Sequence, residues 1–183
     1  MKHEGSREYL VGAVSVKNTS ILMFTSTIEQ IPYESSFYFK EAIYLNIRDI
    51  TQNGVESNGL TMLYDINELK ALYYAILEIV DAPIEQNRNK QSSYENITSS
   101  NPNFIQKTWL GFSNNSYYIN VDKISTIKRK DLNISRKFKA DKYRLLAFAD
   151  SIFQLARKTE DMKFAFERKK DKMLRNKKEQ NLQ

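Results

Sequence analysis

Short apolar runs fill the first part of the chain and predict β-strands. Turn-type residues separate these runs, which are rich in β-branched and aromatic side chains and read YLVGAVSV, SILMFTSTI, AIYLNIRDI and LTMLYDI. The stretch QNGVESNG (52–59) carries two Asn-Gly pairs, which are typical of hairpin connections. The pattern therefore predicts antiparallel strands at the start of the chain.

These strand-like runs then give way to a helical period. Asn67 occupies the expected N-cap position with Glu68 behind it, and apolar residues follow at helical spacing, namely Leu69, Leu72, Tyr73, Ile76 and Val80. Pro83 ends this predicted helix, because proline cannot continue the hydrogen-bond ladder. Residues 85–103 are polar and poor in apolar side chains, so residues 83–103 are predicted to form an exposed linker.

The same plan recurs after this linker. FIQKTWLGF, SYYINVDKI and a run around residues 134–140 predict further strands. Asp141 is placed to cap a helix that carries Leu145, Phe148, Ala149, Ile152 and Ala156. Thr159, followed by Glu160 and Asp161, is predicted to open another helix, because acidic residues first and basic residues last complement the helix macrodipole.

Two of the predicted strands nearly repeat each other. AIYLNIRDI (42–50) and SYYINVDKI (116–124) align at an offset of 74 residues, and the same offset pairs Tyr64 with Phe138 and Leu72 with Leu146. One offset that matches separated blocks indicates an internal duplication. The predicted fold is therefore α+β, with two strand-rich repeats that each end in a helix, in a ββββα-type layout. The predicted segments are a first repeat (8–82), the linker (83–103), a second repeat (104–158) and a basic C-terminal helix with a frayed tail (159–183).

The duplicated strand can be sorted into two faces, because successive side chains of a strand point to opposite sides. Apolar residues of one parity are predicted to face the core, namely Ile43, Leu45 and Ile47 and their counterparts Tyr117, Ile119 and Val121. The other parity places Tyr44, Asn46, Arg48, Tyr118, Asn120 and Asp122 on the solvent face. Core packing explains the recurring apolar residues, but it does not explain a Tyr-x-Asn that recurs outside the core.

Charge is concentrated at one end of the chain. The formal net charge is +6, yet residues 128–183 carry 18 Lys/Arg and 8 Asp/Glu, a net of +10, whereas residues 1–127 have a net charge of −4. Such polarity indicates a polyanionic partner, with nucleic acid ahead of an anionic membrane. A solvated basic helix that aids solubility is the plainer interpretation.

Exposed tyrosines beside amides and cations on a sheet are suited to unpaired nucleic acid, because bases stack on the rings while lysines and arginines follow the phosphates. The sequence predicts fourteen residues for this role: Lys40, Tyr44, Asn46, Arg48, Lys107, Trp109, Tyr118, Asn120, Lys128, Arg129, Lys130, Arg136, Lys137 and Lys139. The second interpretation of Tyr44 and Tyr118 is that they pack a subunit interface. Trp109, the single tryptophan, suits either a stacking platform or the core.

The sequence contains few residues or motifs of the kinds that enzymes use for catalysis. The single histidine, His3, lies near the N-terminus, and no phosphate-cradling glycine loop or serine-nucleophile motif is present. Carboxylates such as Glu41 and Asp49 are scattered, so a metal-dependent nuclease is the weaker alternative. The chain has no cysteine and no apolar run of membrane-spanning length. The sequence therefore predicts a non-enzymatic protein without metal or cofactor, in a reducing, cytoplasmic compartment.

The strand-to-helix passages TMLYDINELKALYYAILEIV and RKFKADKYRLLAFADSIFQLA, joined by the exposed linker, give a layout that resembles the Whirly family of single-stranded-DNA-binding proteins. Similar layouts occur in the positive-cofactor-four coactivators, the mitochondrial guide-RNA-binding proteins and the purine-rich-element-binding proteins. The resemblance implies two sheets packed crosswise, helices that hold subunits together, and homo-oligomers such as dimers or tetramers. The Lys-Gly-Lys-Ala-Leu strand of the plant proteins is absent, so no family site is carried over.

These observations predict a protein that binds single-stranded DNA or RNA with little sequence preference. Sheet aromatics stack the bases, and basic residues neutralise the phosphates. The alternative is a protein-interaction module that uses its helices and is indifferent to oligonucleotides.

Overall fold

The computed structural model describes residues 9–15, 20–33, 36–55, 60–82, 91–101, 104–127 and 133–180. Its strands and helices follow in the order β1 (Tyr9–Val14), β2 (Ser20–Tyr33), β3 (Ser36–Thr51), β4 (Gly54–Val55), β5 (Leu60–Tyr64), α1 (Ile66–Asp81), β6 (Gln91–Asn101), β7 (Phe104–Ser113), β8 (Ser116–Ser125), β9 (Ile134–Ala140) and α2 (Lys142–Gln180). Over these described residues the fold is α+β, with two antiparallel sheets and two helices.

The first sheet is built around the long hairpin of β2 and β3, which pair from Ser20↔Asp49 to Tyr33↔Ser36. β1 pairs with the open edge of β2, and β5 pairs with the open edge of β3. The short β4 folds back on the end of β3 through a turn in which Gly54 has a φ of 107°, a conformation that glycine adopts without strain. The sheet therefore has the hairpin at its centre and a shorter strand on each side.

The second sheet has the order β6-β7-β8-β9, and all its pairs are antiparallel. Asn114 and Asn115 join β7 to β8 with φ values of 51° and 57°, as a two-residue type I′ hairpin requires. Asparagine tolerates this left-handed conformation better than most residues. This tight turn fixes the β7–β8 register that sets the surface described below.

Strand β6 occupies residues that the sequence predicts to be an exposed linker. Gln91–Asn101 pairs with β7, with register shifts on both sides of the segment from Glu95 to Thr98. Main-chain hydrogen bonds to one neighbour hold an edge strand without demanding an apolar pattern, so the polar sequence gave no strand signal. The second sheet thus gains a fourth strand that the hydrophobic pattern does not predict.

Helix α1 begins two residues before the predicted start. Its N-cap is Asp65 rather than Asn67: the Asp65 carboxylate accepts from the Glu68 amide at 2.7 Å, and the Glu68 carboxylate accepts from the Asp65 amide at 2.7 Å. This reciprocal capping box satisfies two backbone donors at the helix end. The stripe of Leu69, Leu72 and Ile76 that predicts the helix is fully buried.

Helix α2 is one continuous helix of 39 residues, whereas the sequence predicts a new helix at Thr159. Asp141 accepts from the Arg144 amide at 2.9 Å, as its predicted capping role requires. Thr159 is buried in mid-helix, where its hydroxyl donates to the Leu155 carbonyl and lies 2.7 Å from the Ser26 hydroxyl. A local side-chain bond of this kind lets threonine sit inside a helix, so it did not mark a start.

Both sheets and both helices contribute to one buried cluster. Phe24 of β2 lies near its centre, with ring centroids 5.4 Å from Tyr64 and 5.9 Å from Phe148 of α2. The two sheets are also tied by the Gln106 side-chain amide, which donates to the Thr61 carbonyl at 2.6 Å. The inner sheet faces are therefore committed to the core, and the outer faces are left for other roles. The duplication of the two repeats stays a prediction.

Candidate nucleic-acid interface

The outer face of the second sheet gathers aromatic and basic residues from three strands. Residues opposite each other in the register form two rows across this face: Gly111, Tyr118 and Lys139 in the first, and Trp109, Asn120 and Lys137 in the second. A third row holds Lys107, Asp122 and Ser135. These positions share a face because the intervening residues, such as Leu110, Ile119 and Phe138, are buried in the core.

Tyr118 lies across the neighbouring strand in the space above Gly111. A Cβ atom at residue 111 would lie 2.2 Å from Tyr118 Cζ and 2.4 Å from its hydroxyl oxygen, so only glycine leaves room for the ring. The Trp109 ring meets Tyr118 edge to face, with centroids 5.4 Å apart and planes at 85°. This is a favoured geometry for aromatic pairs. We call these two half-buried rings, with Gly111 beneath them, the Trp109–Tyr118 platform.

Asp122 fixes the orientation of the platform. The Trp109 indole nitrogen donates to one Asp122 oxygen at 2.8 Å, and the Asn120 amide donates to the other at 2.7 Å. An indole N–H has no acceptor capacity, so this bond selects one orientation of the ring. The Trp109 ring is therefore held in place before any ligand arrives.

Asn120 is placed differently from the prediction of an exposed amide. It lies on the outer side of β8, but it is only 3% exposed, and its amide nitrogen also donates to the Ser135 hydroxyl at 3.3 Å. Neighbouring side chains satisfy and cover it. Its contacts therefore support Asp122 and the platform, whereas a base edge would find no free amide there.

Positive charge borders the platform on the β9 side. The Lys137 ammonium lies 4.5 Å from the Tyr118 ring centroid, a cation–π distance, and both Lys137 and Lys139 are exposed. Lys107 is half-buried and lies directly across from Asp122 in the register. The β8 residues directly across from Lys137 and Lys139 are Asn120 and Tyr118, so among the described residues of β7, β8 and β9 the positive charge that faces no carboxylate lies along β9.

The outer face of the first sheet carries Tyr44, Asn46 and Arg48 of β3, the counterparts of Tyr118, Asn120 and Asp122. Side-chain hydrogen bonds connect these three residues to their neighbours. The Tyr44 hydroxyl donates to Glu29 at 3.3 Å, and burial, followed by the Glu29 charge, raises the pKa of this phenol above its usual value of 10.0. Asn46 donates to the Thr61 hydroxyl at 2.6 Å and accepts from Arg48 at 2.9 Å. Tyr44 is 37% exposed, so its ring is accessible while its hydroxyl is engaged.

The remaining predicted residues are dispersed. Arg136 lies on the inner parity of β9, and its Nε is 3.3 Å from an Asp49 carboxylate oxygen at the junction of the two sheets. It therefore does not share a face with Lys137. Lys40 is exposed on the extended part of the β2–β3 hairpin, away from the platform. Lys128, Arg129 and Lys130 lie outside the residues that the structure describes.

The sequence does not predict two of the features that position the platform. Gly111 carries no side chain, and Asp122 was placed on the outer face without a role, yet together they position the platform. The register of a tight β7–β8 hairpin, which sets Gly111 opposite Tyr118, would have indicated the first of these. The second needed side-chain geometry, because nothing in the sequence connects Trp109 with Asp122.

No protein-family model and no curated protein matches this sequence. Solved structures do match its fold. The crystal structure of WHY1 from Arabidopsis thaliana has a TM-score of 0.53 at 10% identity, over 83% of this chain and 91% of that one. WHY3 from Arabidopsis thaliana gives 0.54 at 12% identity, over 83% and 89%. The plant transcriptional regulator PBF-2 gives 0.55 at 9% identity, over 88% and 86%. The fold is therefore Whirly-like.

Neither helix in the described part of the chain contains an apolar stretch of the kind that a membrane span requires.

Proposed function

We propose that this protein binds single-stranded nucleic acid, with little sequence preference, through the outer face of its second sheet. The Trp109–Tyr118 platform, with its rings fixed from one side and bordered by lysines on the other, is the observation that carries this proposal. The Whirly-like fold supports it, since the sequence resemblance to that family implies the same ligand class. The role is binding rather than catalysis.

The platform suits unpaired bases in particular. Each base that stacks on an aromatic side chain contributes about 1–3 kcal/mol, and every base has a π-face, so this mode is tolerant of sequence. Bases in a duplex are stacked on one another and do not offer a free face to Trp109 or Tyr118. Because the rings are held by Asp122 and Gly111, less conformational entropy is lost when a base docks.

The charge pattern favours one path for the sugar-phosphate backbone across this face. Phosphates along β9 meet Lys137 and Lys139, and the bases then lie over β8 and β7, where the rings are. A path along β7 would bring phosphates close to the Asp122 carboxylate and to the partly compensated Lys107. Coulomb repulsion therefore disfavours the second path.

Lysine variants should distinguish the two paths. Lys137→Gln and Lys139→Gln are each expected to lower the slope of log affinity against log salt by about 0.7, the value of one phosphate contact on a single strand. Lys107→Gln removes the same charge from the same face and serves as the matched control, with a slope change less than half as large. Anisotropy titrations at several salt concentrations give these slopes. An equal change in all three variants would contradict the β9 path.

The proposal itself is tested with the unmodified protein and fluorescein-labelled oligothymidine. We expect dissociation constants on the order of micromolar or tighter at low salt, steep weakening as salt rises, and quenching of the single tryptophan. The same sequence in a duplex should compete poorly. The proposal is wrong if the protein does not bind oligothymidine, or if its affinity is independent of salt concentration and Trp109 fluorescence does not change on binding.

Exposed rings on the helices favour a second candidate function. Tyr74 of α1 is 60% exposed and Tyr143 of α2 is 81% exposed, and large aromatic side chains of this kind are common anchors of protein interfaces. Helix-mediated assembly, including homo-oligomers, is compatible with a nucleic-acid-binding sheet. A protein that assembles or captures a partner but is indifferent to oligonucleotides would favour this candidate alone.

A further inference from the structure

The β2–β3 hairpin extends beyond its neighbouring strands as a two-stranded ribbon. Within the described residues, β1 pairs with β2 only as far as Ser26, and β5 pairs with β3 only from Ile43 onward. Beyond these points, in the part of the chain that the structure describes, residues 27–33 and 36–42 pair only with each other. We call these two segments the ribbon. An isolated two-stranded ribbon is marginally stable, so its order depends on what packs against it.

Helix α2 braces one face of the ribbon. Phe166 packs on Phe39 with ring centroids 5.0 Å apart, and Lys163 forms a 2.7 Å ion pair with Glu41. Lys170 donates to the Phe37 carbonyl and lies 5.3 Å from the centroid of the Phe37 ring. These contacts come from successive turns of the helix, on the part of α2 that extends past the last buried core residue, Met162. The overhanging helix therefore keeps the ribbon in one position.

The opposite face of the ribbon carries exposed aromatic rings. Tyr33 is 62% exposed and Tyr38 is 45% exposed, and both belong to the parity that points away from the helix-facing residues Phe37 and Phe39. Lys40 is exposed on the same face, directly across from the exposed Glu29, so the Glu29 carboxylate offsets its charge, and the same parity of β3 leads on to Tyr44. Along β3, the Tyr38–Tyr44 separation is about 20 Å at 3.3 Å per residue.

From this arrangement we infer that the exposed face of the ribbon is a second contact for the single strand bound at the Trp109–Tyr118 platform. This inference rests on the proposed function. Two accessible rings on a braced, extended surface can stack bases, which is the chemistry of a sequence-tolerant single-strand site, whereas Glu29 beside Lys40 leaves this face no net positive charge for a phosphate. Two such contacts on one chain make a long strand bind more tightly than a short one, because the second contact forms intramolecularly.

Oligonucleotide length separates the two contacts. The double variant Tyr33→Ala/Tyr38→Ala is compared with the unmodified protein on oligothymidine of about six and about thirty nucleotides. We expect the variant to bind the short strand within about twofold of the unmodified protein and to lose about tenfold or more in affinity for the long strand. Both tyrosines are exposed, so folding should persist, as circular dichroism will verify.

Phe164→Ala is the matched control, because it removes a ring of similar exposure, 61%, from α2 at a position outside both proposed contacts, and it should bind both strands normally. If the ribbon variant keeps full affinity for the long strand, or loses affinity equally for both lengths, the ribbon is not a second contact. A variant that changes only the mass measured by light scattering would make the ribbon an interface between copies and would also overturn the inference. If the unmodified protein binds neither strand, the proposed function itself fails.

Discussion

Replacing Gly111 by alanine is expected to weaken the binding of unpaired oligothymidine by roughly 5- to 150-fold while leaving the protein folded. The new Cβ would lie 2.2 Å from Tyr118 Cζ, so the Tyr118 ring must leave its position beside Trp109. The atoms that clash belong to the far end of a side chain, which can rotate away without a backbone shift. The expected loss equals one stacked base, about 1–3 kcal/mol. Fluorescence anisotropy measures it directly.

Gly12→Ala is the matched control for this prediction. Gly12 is exposed on β1, and a Cβ there would approach the Leu22 carbonyl at 3.3 Å and Met23 Cγ at 3.4 Å without displacing an aromatic ring. Alanine costs less backbone entropy than glycine in a strand, so neither variant should be less stable on that account. We therefore expect Gly12→Ala to bind oligothymidine like the unmodified protein.

A double-mutant cycle tests whether the tyrosine ring carries the effect. If Gly111→Ala acts by displacing Tyr118, then Gly111→Ala/Tyr118→Ala should bind no more weakly than Tyr118→Ala alone, because the ring cannot be lost twice. Tyr118→Phe should keep most of the affinity, since the ring remains. Additive losses in the double variant, or a Gly111→Ala protein with unchanged affinity, would show that Tyr118 is not a stacking surface.

The core faces of both sheets could be predicted from the sequence because apolar burial leaves a periodic trace. Ile43, Leu45 and Ile47 are fully buried, and their counterparts on β8 are buried as well, as the alternation predicts. Transfer of each such side chain from water contributes about 1.5–3 kcal/mol, so the pattern is under strong physical constraint. Residues on the outer faces are constrained less by burial. For them the sequence predicts which face each side chain lies on, but not which neighbours it contacts.

Two elements differ from the sequence prediction because their determinants are not hydrophobic. Strand β6 is held by pairing with β7 through main-chain hydrogen bonds. Polar residues form these bonds as well as apolar ones do, so the pairing leaves no hydrophobic pattern in the sequence. The continuity of α2 through Thr159 depends on the Ser26 hydroxyl, which lies 133 residues away in the sequence. Only the folded chain brings that partner to the helix, so local start signals misled the prediction.

The sequence predicts which face of a strand a candidate site residue lies on, but it does not predict which polar contacts that residue makes. Trp109, Tyr118, Lys137 and Lys139 meet on one face because strand parity and register place them there. Asn120 shares that face but is covered by Asp122 and Ser135, and Arg136 pairs with Asp49 because its parity is the inner one. Residue type alone does not reveal whether a polar group is already satisfied by its neighbours. The nucleic-acid roles of the exposed members stay predictions.

The largest loss of stability is expected for Phe24→Ala, a change on the inner face of β2. Phe24 is fully buried, and its ring packs on Tyr64 and Phe148, so it connects strand β2 with strand β5 of the same sheet and with helix α2. Truncating such a residue removes its transfer free energy and leaves a cavity, which together cost about 3–5 kcal/mol. That is a large fraction of the roughly 5–15 kcal/mol by which domains of this size are stable. Urea denaturation followed by circular dichroism measures the change.

Met23→Ala is the control, because Met23 is the preceding residue of the same strand, lies on the outer face and is half-buried. It should cost no more than about 1 kcal/mol, since less apolar area is lost there and no closed cavity forms. The contrast with Gly111→Ala is the stronger test of the architecture. Phe24→Ala, on the inner face, should lower stability but leave the affinity for oligothymidine unchanged while the protein stays folded. Gly111→Ala, on the outer face, should leave stability unchanged and lower that affinity. If Phe24→Ala is no more destabilising than Met23→Ala, the shared core is not organised around this ring, and the division between a structural face and a binding face fails with it.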